Sequence, residues 1–485
     1  SEFVVATVDQ FLMASLKQKH VMLRHLGLAG KTVIIDECHA YSSYMYVYLG
    51  NSLRWMAAYN VPVIILSATL PPDKRAELIR WYTGSKNSFD NSSTAYPILT
   101  WSDGAEVKQK AIPVDIPDKS ITVIRREENE SNDIVNLLED KLSDGGCAAV
   151  IVNSVAYSQE LADTIAANMP DYRVICFHSR LISTDRASIE RELTELVGKK
   201  STCEKRDKLI VVGTQVLEQS LDIDFDYMIT ELCPMDLLLQ RSGRLHRHNR
   251  TRPYKLSEPE LCVLIPEDFS KSVYSGWILT QTEKYLPDKL VIPGCIPKLV
   301  GAVYSEPDND EQQTAEYDNY KKEQKAKKDR AKKYCIESTI IKVNKATLID
   351  IIDRRQLNND SDGEAAVRDG QETIEALVLV KTSDTEYSLF SREAVFDITS
   401  EPDNAQAKLI AKQRLRLPST FSESYNFGKT VEILANAMPQ AWRNAKWLKG
   451  EILLLLDGNN KISLLDRTYK YSTERGFEEI KEEES

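Results

Sequence analysis

The sequence predicts an α/β protein: two tandem blocks of alternating strands and helices, a charged linker helix, and a small C-terminal α+β unit. Three observations predict it. Short β-branched runs end abruptly in polar residues, as buried parallel strands do at the ligand-binding edge of open sheets. Amphipathic segments of helical period separate those runs, which is the order of a parallel sheet. A chain of 485 residues exceeds the size at which a single core stops growing, so two or three domains are expected.

Phe3 to Val8 reads as a strand, and Asp9 to about His25 as a helix with Phe11, Leu12 and Leu16 inward. The run Val33-Ile34-Ile35 is the next strand and delivers Asp36, Glu37, Cys38 and His39. A helix from Ser43 to Tyr59 and a strand from Val61 to Leu66 come next, closed by Ser67-Ala68-Thr69-Leu70-Pro71. This first block spans residues 1–117. The second, 118–296, has strands at Ala148–Val152, Arg173–Phe177, Lys208–Val212 and Tyr227–Thr230, with helices such as Gln159–Asn168 between them. Two such blocks in tandem suggest a cleft between them.

Residues 297–340 form the linker, whose segment from Tyr317 to Lys333 is rich in lysine and helix formers. It reads as a solvated helix in preference to a surface that tracks phosphates. The C-terminal unit, 341–485, has strands at Ala376–Val380 and Glu451–Leu456, a turn at Asp457-Gly458-Asn459-Asn460, and an acidic, frayed tail from Glu478 to Glu484.

Composition excludes some classes. A net charge of −11 argues against a protein that coats nucleic acid by bulk charge, while leaving room for a local basic groove. The eight cysteines contain no CxxC pair and several lie in apolar strands, which fits reduced core residues. No apolar run approaches membrane-spanning length and no signal peptide is read, so a cytoplasmic protein without a membrane partner is expected.

Chemistry concentrates in three strings. Asp36 is suited to holding Mg²⁺ through water and Glu37 to deprotonating the water that attacks a γ-phosphate, although a strand followed by an acidic helix cap has the same residues. Gln240-Arg241-Ser242-Gly243-Arg244-Leu245-His246-Arg247 is expected to open a helix, with Arg244 and Arg247 on one face where they can neutralise a transferring phosphoryl group. After the strand Lys208–Val212, Gly213-Thr214-Gln215 and the run to Asp224 offer donors to phosphates, or form a plain capped loop. Asp222 is placed to accept from a ribose or from an arginine across the cleft.

Together these strings resemble the helicases built from two RecA-like lobes. Asp36-Glu37-Cys38-His39-Ala40-Tyr41, Leu66-Ser67-Ala68-Thr69-Leu70-Pro71 and Gln215-Val216-Leu217-Glu218-Gln219-Ser220-Leu221-Asp222-Ile223-Asp224-Phe225-Asp226 are similar to the helicase portion of the CRISPR-associated helicase-nuclease of type I interference. Leu465 to Tyr471 and Gly476-Phe477-Glu478 resemble that family's closing strands. The resemblance implies ATP and Mg as cofactors, with Asp36 and Glu37 as the metal and water-activating pair, His39 and Gln240 beside the nucleotide, and Arg244 and Arg247 reading the γ-phosphate. It further implies that Ser67 and Thr69 couple nucleotide state to strand binding. Thr7, Asp9 and Gln10 would grip single-stranded DNA from the first lobe, and His178, Ser179, Arg180, Thr214 and Gln215 from the second. The family steps 3′ to 5′ along that strand after recruitment by an RNA-guided surveillance complex, and the C-terminal domain would cap the DNA channel.

Two departures set expectations. No GxxxxGK[ST] occurs, and Gly27-Leu28-Ala29-Gly30-Lys31-Thr32 cannot replace it, because Gly30-Lys31-Thr32 should open a strand where a phosphate loop must open a helix. The family's histidine-aspartate nuclease cluster is missing too; His246 and His248 have no nearby carboxylate or thiolate expected to complete a metal site. The first lobe is therefore expected to be incomplete, and the chain to be a piece of something longer or one part of a split protein. Its missing front, nuclease and phosphate loop together, would come from an N-terminal portion or a separate subunit. Alone it is expected to lack ATPase activity. The rival readings are a non-catalytic fragment that binds single-stranded DNA or the surveillance complex, and another DNA- or RNA-dependent helicase.

Overall fold

A computed structural model describes residues 3–18, 21–38, 41–84, 93, 95–102, 106–113, 117–127, 131–218, 221–307, 314–337, 367 and 373–480. The chain forms two compact units, residues 1–120 with 274–369 and residues 121–273 with 370–485. Both are mixed α/β units with parallel strand pairing.

The first unit begins differently from expectation. Phe3, Val4 and Val5 are exposed and lie in no strand; a strand exists through its ladder, and these residues have none. The expected helix from Asp9 is broken into α1 (Val8–Leu12), a 3₁₀ turn at Met13–Ser15, and α2 (Val21–Leu28). Competing hydrogen bonds explain the break. Lys17 N–H donates to the Tyr334 carbonyl and Ile336 N–H to the Ser15 carbonyl, so this stretch is pulled into a short β-bridge at Leu16 and Cys335. The Ser15 hydroxyl donates to the Tyr48 carbonyl at 2.9 Å. Phe11, Leu12 and Leu16 are inward as expected.

β1 (Val33–Ile35) pairs in parallel with β2 (Val63–Ile65), Val33 opposite Val63. Between them runs α3 (Ser43–Ala58), whose start is capped by Ser42 accepting from Met45 N–H. Tyr44, Tyr48, Leu49, Leu53, Trp55 and Met56 all bury into the unit's core. α4 (Pro72–Thr83) starts on a proline, which needs no N–H at the first turn, and ends at Gly84, φ +63°. β3 (Ile98–Ser102) and β4 (Val107–Ala111) form an antiparallel pair. On the exposed side of the short parallel pair, Ile34, Ile64 and Leu66 face solvent.

The second unit is built on β5 (Lys119–Glu127), α5 (Ser131–Lys141), β6 (Cys147–Ile151), α6 (Val155–Asn168), β7 (Arg173–Phe177), α7 (Ser183–Val197), α8 (Cys203–Arg206), β8 (Leu209–Gly213), β9 (Tyr227–Glu231), α9 (Met235–Ser242) and β10 (Glu260–Ile265). Its strands run parallel in the order β5-β10-β9-β6-β8-β7. β6 and β8 are buried along their whole length, which is why their sequences are continuously apolar.

The chain then returns to the first unit with α10 (Gly276–Tyr285), β11 (Lys289–Ile292), α11 (Ile296–Tyr304) and α12 (Ala315–Tyr334). The expected linker helix is α12. It lies against α3 and buries only Tyr317 and Ala331, while Asn51 Nδ2 donates to the Ile336 carbonyl and Trp55 Nε1 to the Glu337 carbonyl just past its end.

The C-terminal part belongs to the second unit. β12 (Glu375–Lys381), β13 (Glu386–Ser388), β14 (Val395–Asp397), β15 (Arg414–Arg416) and β16 (Leu453–Leu456) make one sheet, with β12 and β16 parallel. β17 (Lys461–Leu464), β18 (Arg467–Ser472) and β19 (Gly476–Glu479) make an antiparallel sheet. The turn at Asp457–Asn460 is present, closed by Asp457 Oδ1 accepting from Lys461 N–H, but β17 ladders with β18. Glu478 and Glu479 lie in β19, not in a frayed tail, because Lys470 and Arg467 pair with them; the end of the tail, 481–485, is outside the described residues.

The three-stranded sheet docks on α6 and on the loop after β7. Gln159 Nε2 donates to the carbonyls of Arg475 and Phe477, and the Tyr471 hydroxyl accepts from Ile182 N–H and donates to Asp185. Phe477, Tyr469 and Tyr471 share a core with Ile182; each fully buried side chain of this size contributes about 1.5–3 kcal/mol. Gly476 makes the fit possible. It has φ +67°, and a Cβ there would collide with the Arg180 carbonyl and stand 2.8 Å from His178 Cε1. Gly476→Ala is expected to lower the unfolding free energy in urea by about 2–4 kcal/mol through strain and crowding, whereas Gly458→Ala, with open space around it, should change it by less than about 0.5 kcal/mol.

Candidate functional site

In the first unit, β1 hands the chain to Asp36 and Glu37, both exposed at the strand's carboxyl end. Glu37 adopts φ +55°, unusual for a residue with a side chain, and its N–H donates to Asp36 Oδ1 at 3.0 Å. The Tyr41 hydroxyl donates to the Asp36 carbonyl. Cys38 is fully buried; burial pushes its thiol up to about 11, and the Ser67 hydroxyl hydrogen-bonds it. This thiol therefore links the acidic turn to the end of β2, more than filling space. Thr69 is buried and its hydroxyl oxygen has no hydrogen-bond partner among the described residues. Thr7 and Gln10 are exposed at α1 and Asp9 is half-buried; Gln10 Oε1 accepts from Arg24 Nη1 at 2.7 Å. His39 lies outside the described residues.

Gly30-Lys31-Thr32 connects α2 to β1, with Gly30 at φ +74° in the turn. A helix-to-strand turn presents no helix N-terminus to a phosphate. The acidic pair thus has the donors a hydrated Mg²⁺ takes, but Gly30-Lys31-Thr32 supplies no phosphate cradle to go with it.

The second unit gathers its polar residues at the carboxyl ends of β6, β8 and β9. Arg241 is wholly buried. Its Nε donates to Glu218 Oε1 at 2.7 Å, Nη1 to Thr230 Oγ1 at 2.7 Å and to the Glu231 carbonyl at 3.0 Å, and Nη2 to Asn153 Oδ1 at 3.0 Å. Burial pushes the Glu218 carboxyl above its ordinary value, with Arg241 offsetting this only in part. Gln215 Nε2 donates to the Asn153 carbonyl. Gln240 is half-buried on α9.

Arg244 and Arg247 do not share a helix face, contrary to expectation. α9 ends at Ser242, and Leu245 forms a β-bridge with Phe225: Phe225 N–H donates to the Arg244 carbonyl and His246 N–H to the Phe225 carbonyl. That bridge forces His246 to φ +47° and stops the helix. Arg244 Nη2 donates to the Glu218 carbonyl at 2.8 Å, and Arg247 Nε to Asp222 Oδ1 at 2.7 Å. Asp222 therefore accepts from an arginine of its own unit, with His248 also 3.1 Å away.

Beneath this loop is a charge cluster that the motifs did not reveal. Asp224 and Asp226 are buried. Arg206 Nη2 meets Asp226 Oδ1 at 2.7 Å, Arg250 Nε meets Asp224 Oδ2 at 2.6 Å, and Arg252 bonds both carboxylates. Arg247 N–H donates to Asp224 Oδ1 at 2.8 Å, so the cluster holds the loop's backbone. Burial raises Asp226, but Arg206 and Arg252 outweigh it and leave the carboxyl below its ordinary value. Alternating aspartates in an otherwise apolar run were the available signal.

Of the residues expected to grip a strand from this unit, Ser179 and Arg180 are half-buried, Gln215 is half-buried, and Thr214 and His178 are buried. His178 does not present its ring to a strand: Nδ1 accepts from Arg180 N–H and Nε2 donates to the Arg475 carbonyl. His246 Nε2 is 3.0 Å from the Asp226 carbonyl, and no metal-binding cluster of His, Cys, Asp or Glu occurs among the described residues. No helix among them is long and apolar enough to cross a membrane.

Residues 144–250 match the family described as "CRISPR-associated nuclease/helicase Cas3, C-terminal", and residues 368–477 the "Cas3 C-terminal domain". The chain is 39% identical to a CRISPR-associated nuclease/helicase Cas3 of Streptococcus thermophilus, over 96% of this chain and 52% of that protein. It is 29% identical to the CRISPR-associated endonuclease/helicase Cas3 of Escherichia coli, over 87% and 48%. Among solved structures, T. fusca Cas3-ATP superimposes with a TM-score of 0.82 at 26% identity, covering 97% of this chain and 56% of that one. A chain from "CRISPR RNA-guided surveillance complex, pre-nicking" gives 0.79 at 26%, covering 98% and 60%. The chain spans about half the length of the curated relatives it matches.

Burial pushes both His178 and His246 down to about 4. Held neutral, they stabilise the fold fully above the free value of about 6.5, and this stabilisation is lost as pH falls toward 4, because the unfolded chain takes up protons first. The urea midpoint should therefore fall across that window, and His178→Gln should reduce the proton uptake on unfolding at pH 5 by about one relative to the parent. Equal uptake by the two proteins would contradict the assignment.

Proposed function

Because the chain belongs to the Cas3 family, matching its helicase portion, we propose that it is the two-lobed RecA-like motor of a CRISPR interference effector. It takes part in degrading invading DNA by stepping 3′ to 5′ along a single strand. The observation that carries this is the placement of Asp36 and Glu37, exposed at the carboxyl end of a parallel strand with Cys38 and Ser67 tying them to the end of β2.

In this reading Asp36 and Glu37 would hold Mg²⁺, Glu37 would take a proton from the attacking water, and Arg244 and Arg247 would be the cations for the γ-phosphate. Bound ATP supplies the free energy of phosphate cleavage. Gln240 would contribute to the nucleotide site, a role the family resemblance also gives to His39. Ser67 and Thr69 transmit its state to the strand; the buried hydroxyl of Thr69, which has no hydrogen-bond partner among the described residues, suits a group that exchanges partners. Thr7, Asp9, Gln10, Ser179, Arg180 and Gln215 contact single-stranded DNA, with His178 and Thr214 shaping the loops behind them. The partners are that strand, an RNA-guided surveillance complex, and a portion or subunit carrying the phosphate loop and nuclease.

The missing GxxxxGK[ST] favours a second reading for the chain on its own: a fragment that binds single-stranded DNA or the surveillance complex without hydrolysis. Both readings predict that the isolated chain releases phosphate from ATP, with saturating single-stranded DNA, no faster than its Glu37→Gln variant. Strong strand-stimulated turnover abolished by Glu37→Gln would contradict the need for an external phosphate loop. A third reading, a general DNA- or RNA-dependent helicase, predicts equal affinity for DNA and RNA strands of one sequence at one salt concentration, where the family reading predicts preference for DNA.

A further inference from the structure

Arg180 is half-buried, and that burial pushes its guanidinium below its ordinary value. Among the described residues no carboxylate pairs with that guanidinium; its backbone N–H bonds His178, its carbonyl accepts from Phe477 N–H, and the Tyr469 ring lies nearby. A half-buried guanidinium with no carboxylate beside it is suited to an anion that reaches it from the open side.

A cavity of 140 Å³ opens beside it, lined by Val155, Ser179, Arg180, Thr373, Arg416 and Ser419 among others, with no acidic side chain among the described residues of its wall. That is room for about five waters, which suits one phosphate group better than a nucleoside triphosphate. Arg416, at the end of β15, enters from the C-terminal part. Its Nη2 donates to Thr373 Oγ1 at 2.8 Å, which fixes the plane of the fork and leaves its other N–H groups without a protein acceptor among the described residues. Val155 is the first residue of the fourteen-residue helix α6, so the positive end of that helix borders the same space.

We propose that Arg180 and Arg416 clamp a single backbone phosphate of single-stranded DNA, with Ser179 and Ser419 as neutral donors. The proposal rests on the strand-binding reading above and adds to it a contact from the C-terminal part of the chain. Two guanidinium groups from segments more than two hundred residues apart then meet on one ligand, so strand occupancy strengthens the docking of the C-terminal part on the second lobe.

The test is fluorescence anisotropy of the full chain with a labelled thymidine 20-mer between 50 and 200 mM KCl. Arg416→Ala should weaken binding about 3–10-fold at 100 mM and flatten the plot of log affinity against log salt by about 0.7, the value for one phosphate on a single strand. Arg416→Lys should keep the slope and recover part of the affinity. Since both arginines act on one phosphate, Arg180→Gln combined with Arg416→Ala should flatten the slope by about 0.7 in total; about 1.4 would mean two separate contacts and overturn the shared clamp. Lys449→Ala, on the same unit and outside the cavity, should leave the slope unchanged. If the parent binds the 20-mer and Arg416→Ala binds it with the same slope, the clamp is wrong while the strand reading stands. If the parent does not bind the 20-mer at all, both fall. Loss of affinity for inorganic phosphate alone, with strand binding unchanged, identifies a free-anion site and overturns the proposal, as does an Arg416 dependence seen only with a uridine 20-mer.

Discussion

The second unit depends on one buried guanidinium. Arg241 is withdrawn completely from solvent, and an uncompensated ion in that position would cost several kcal/mol. It is tolerated because acceptors converge on it from different elements: Glu218 beyond β8, Thr230 and Glu231 at the end of β9, Asn153 beyond β6. The sheet order sets β6 between β8 and β9, so these strand ends are neighbours by topology. Arg241, arriving on α9, ties them together.

The segment after α9 is then determined in two steps. The Phe225 bridge stops the helix and turns the chain through the positive φ of His246, while Asp224 accepts the Arg247 N–H from below. Arg244 and Arg247 are left leaning on the loop that carries Glu218 and Asp222. The two arginines are thus positioned by the backbone of a bridged turn, a stiffer device than a helix face. The same economy appears at the C-terminal sheet, where His178 uses both ring nitrogens to shape the loop that presents Ser179 and Arg180.

The alternating strands and helices were legible because buried parallel strands write themselves as unbroken apolar runs, as at Ala148–Val152, and the strings at Asp36 and Gln240 were legible because chemistry restricts residue type. The break between α1 and α2 was not, since it arises from backbone bonds to Cys335 and its neighbours, more than three hundred residues away. The helix expected over Arg244 and Arg247 failed for the same reason: Phe225 competes for its backbone. Phe3 to Val8 has strand composition without a ladder, and composition cannot report a missing partner. Arg241 stood inside a recognised string, yet nothing local distinguishes it from Arg244; only the convergence of Asn153, Glu218 and Thr230 does. Asp224 and Asp226 were legible in principle, as carboxylates at positions where the strand pattern calls for apolar residues.

Arg241 and Glu218 compensate each other inside the second unit, and the convergence of its strand ends depends on that pair. A double-mutant cycle on the unfolding free energy in urea, with Glu218→Leu, Arg241→Leu and the pair together, tests it directly. Each single change should cost about 3–5 kcal/mol by stranding a buried charge, and the double variant should recover at least about 2 kcal/mol of the summed loss. Costs that simply add would show that the two groups do not depend on each other, and that the second unit joins these strand ends by some other means.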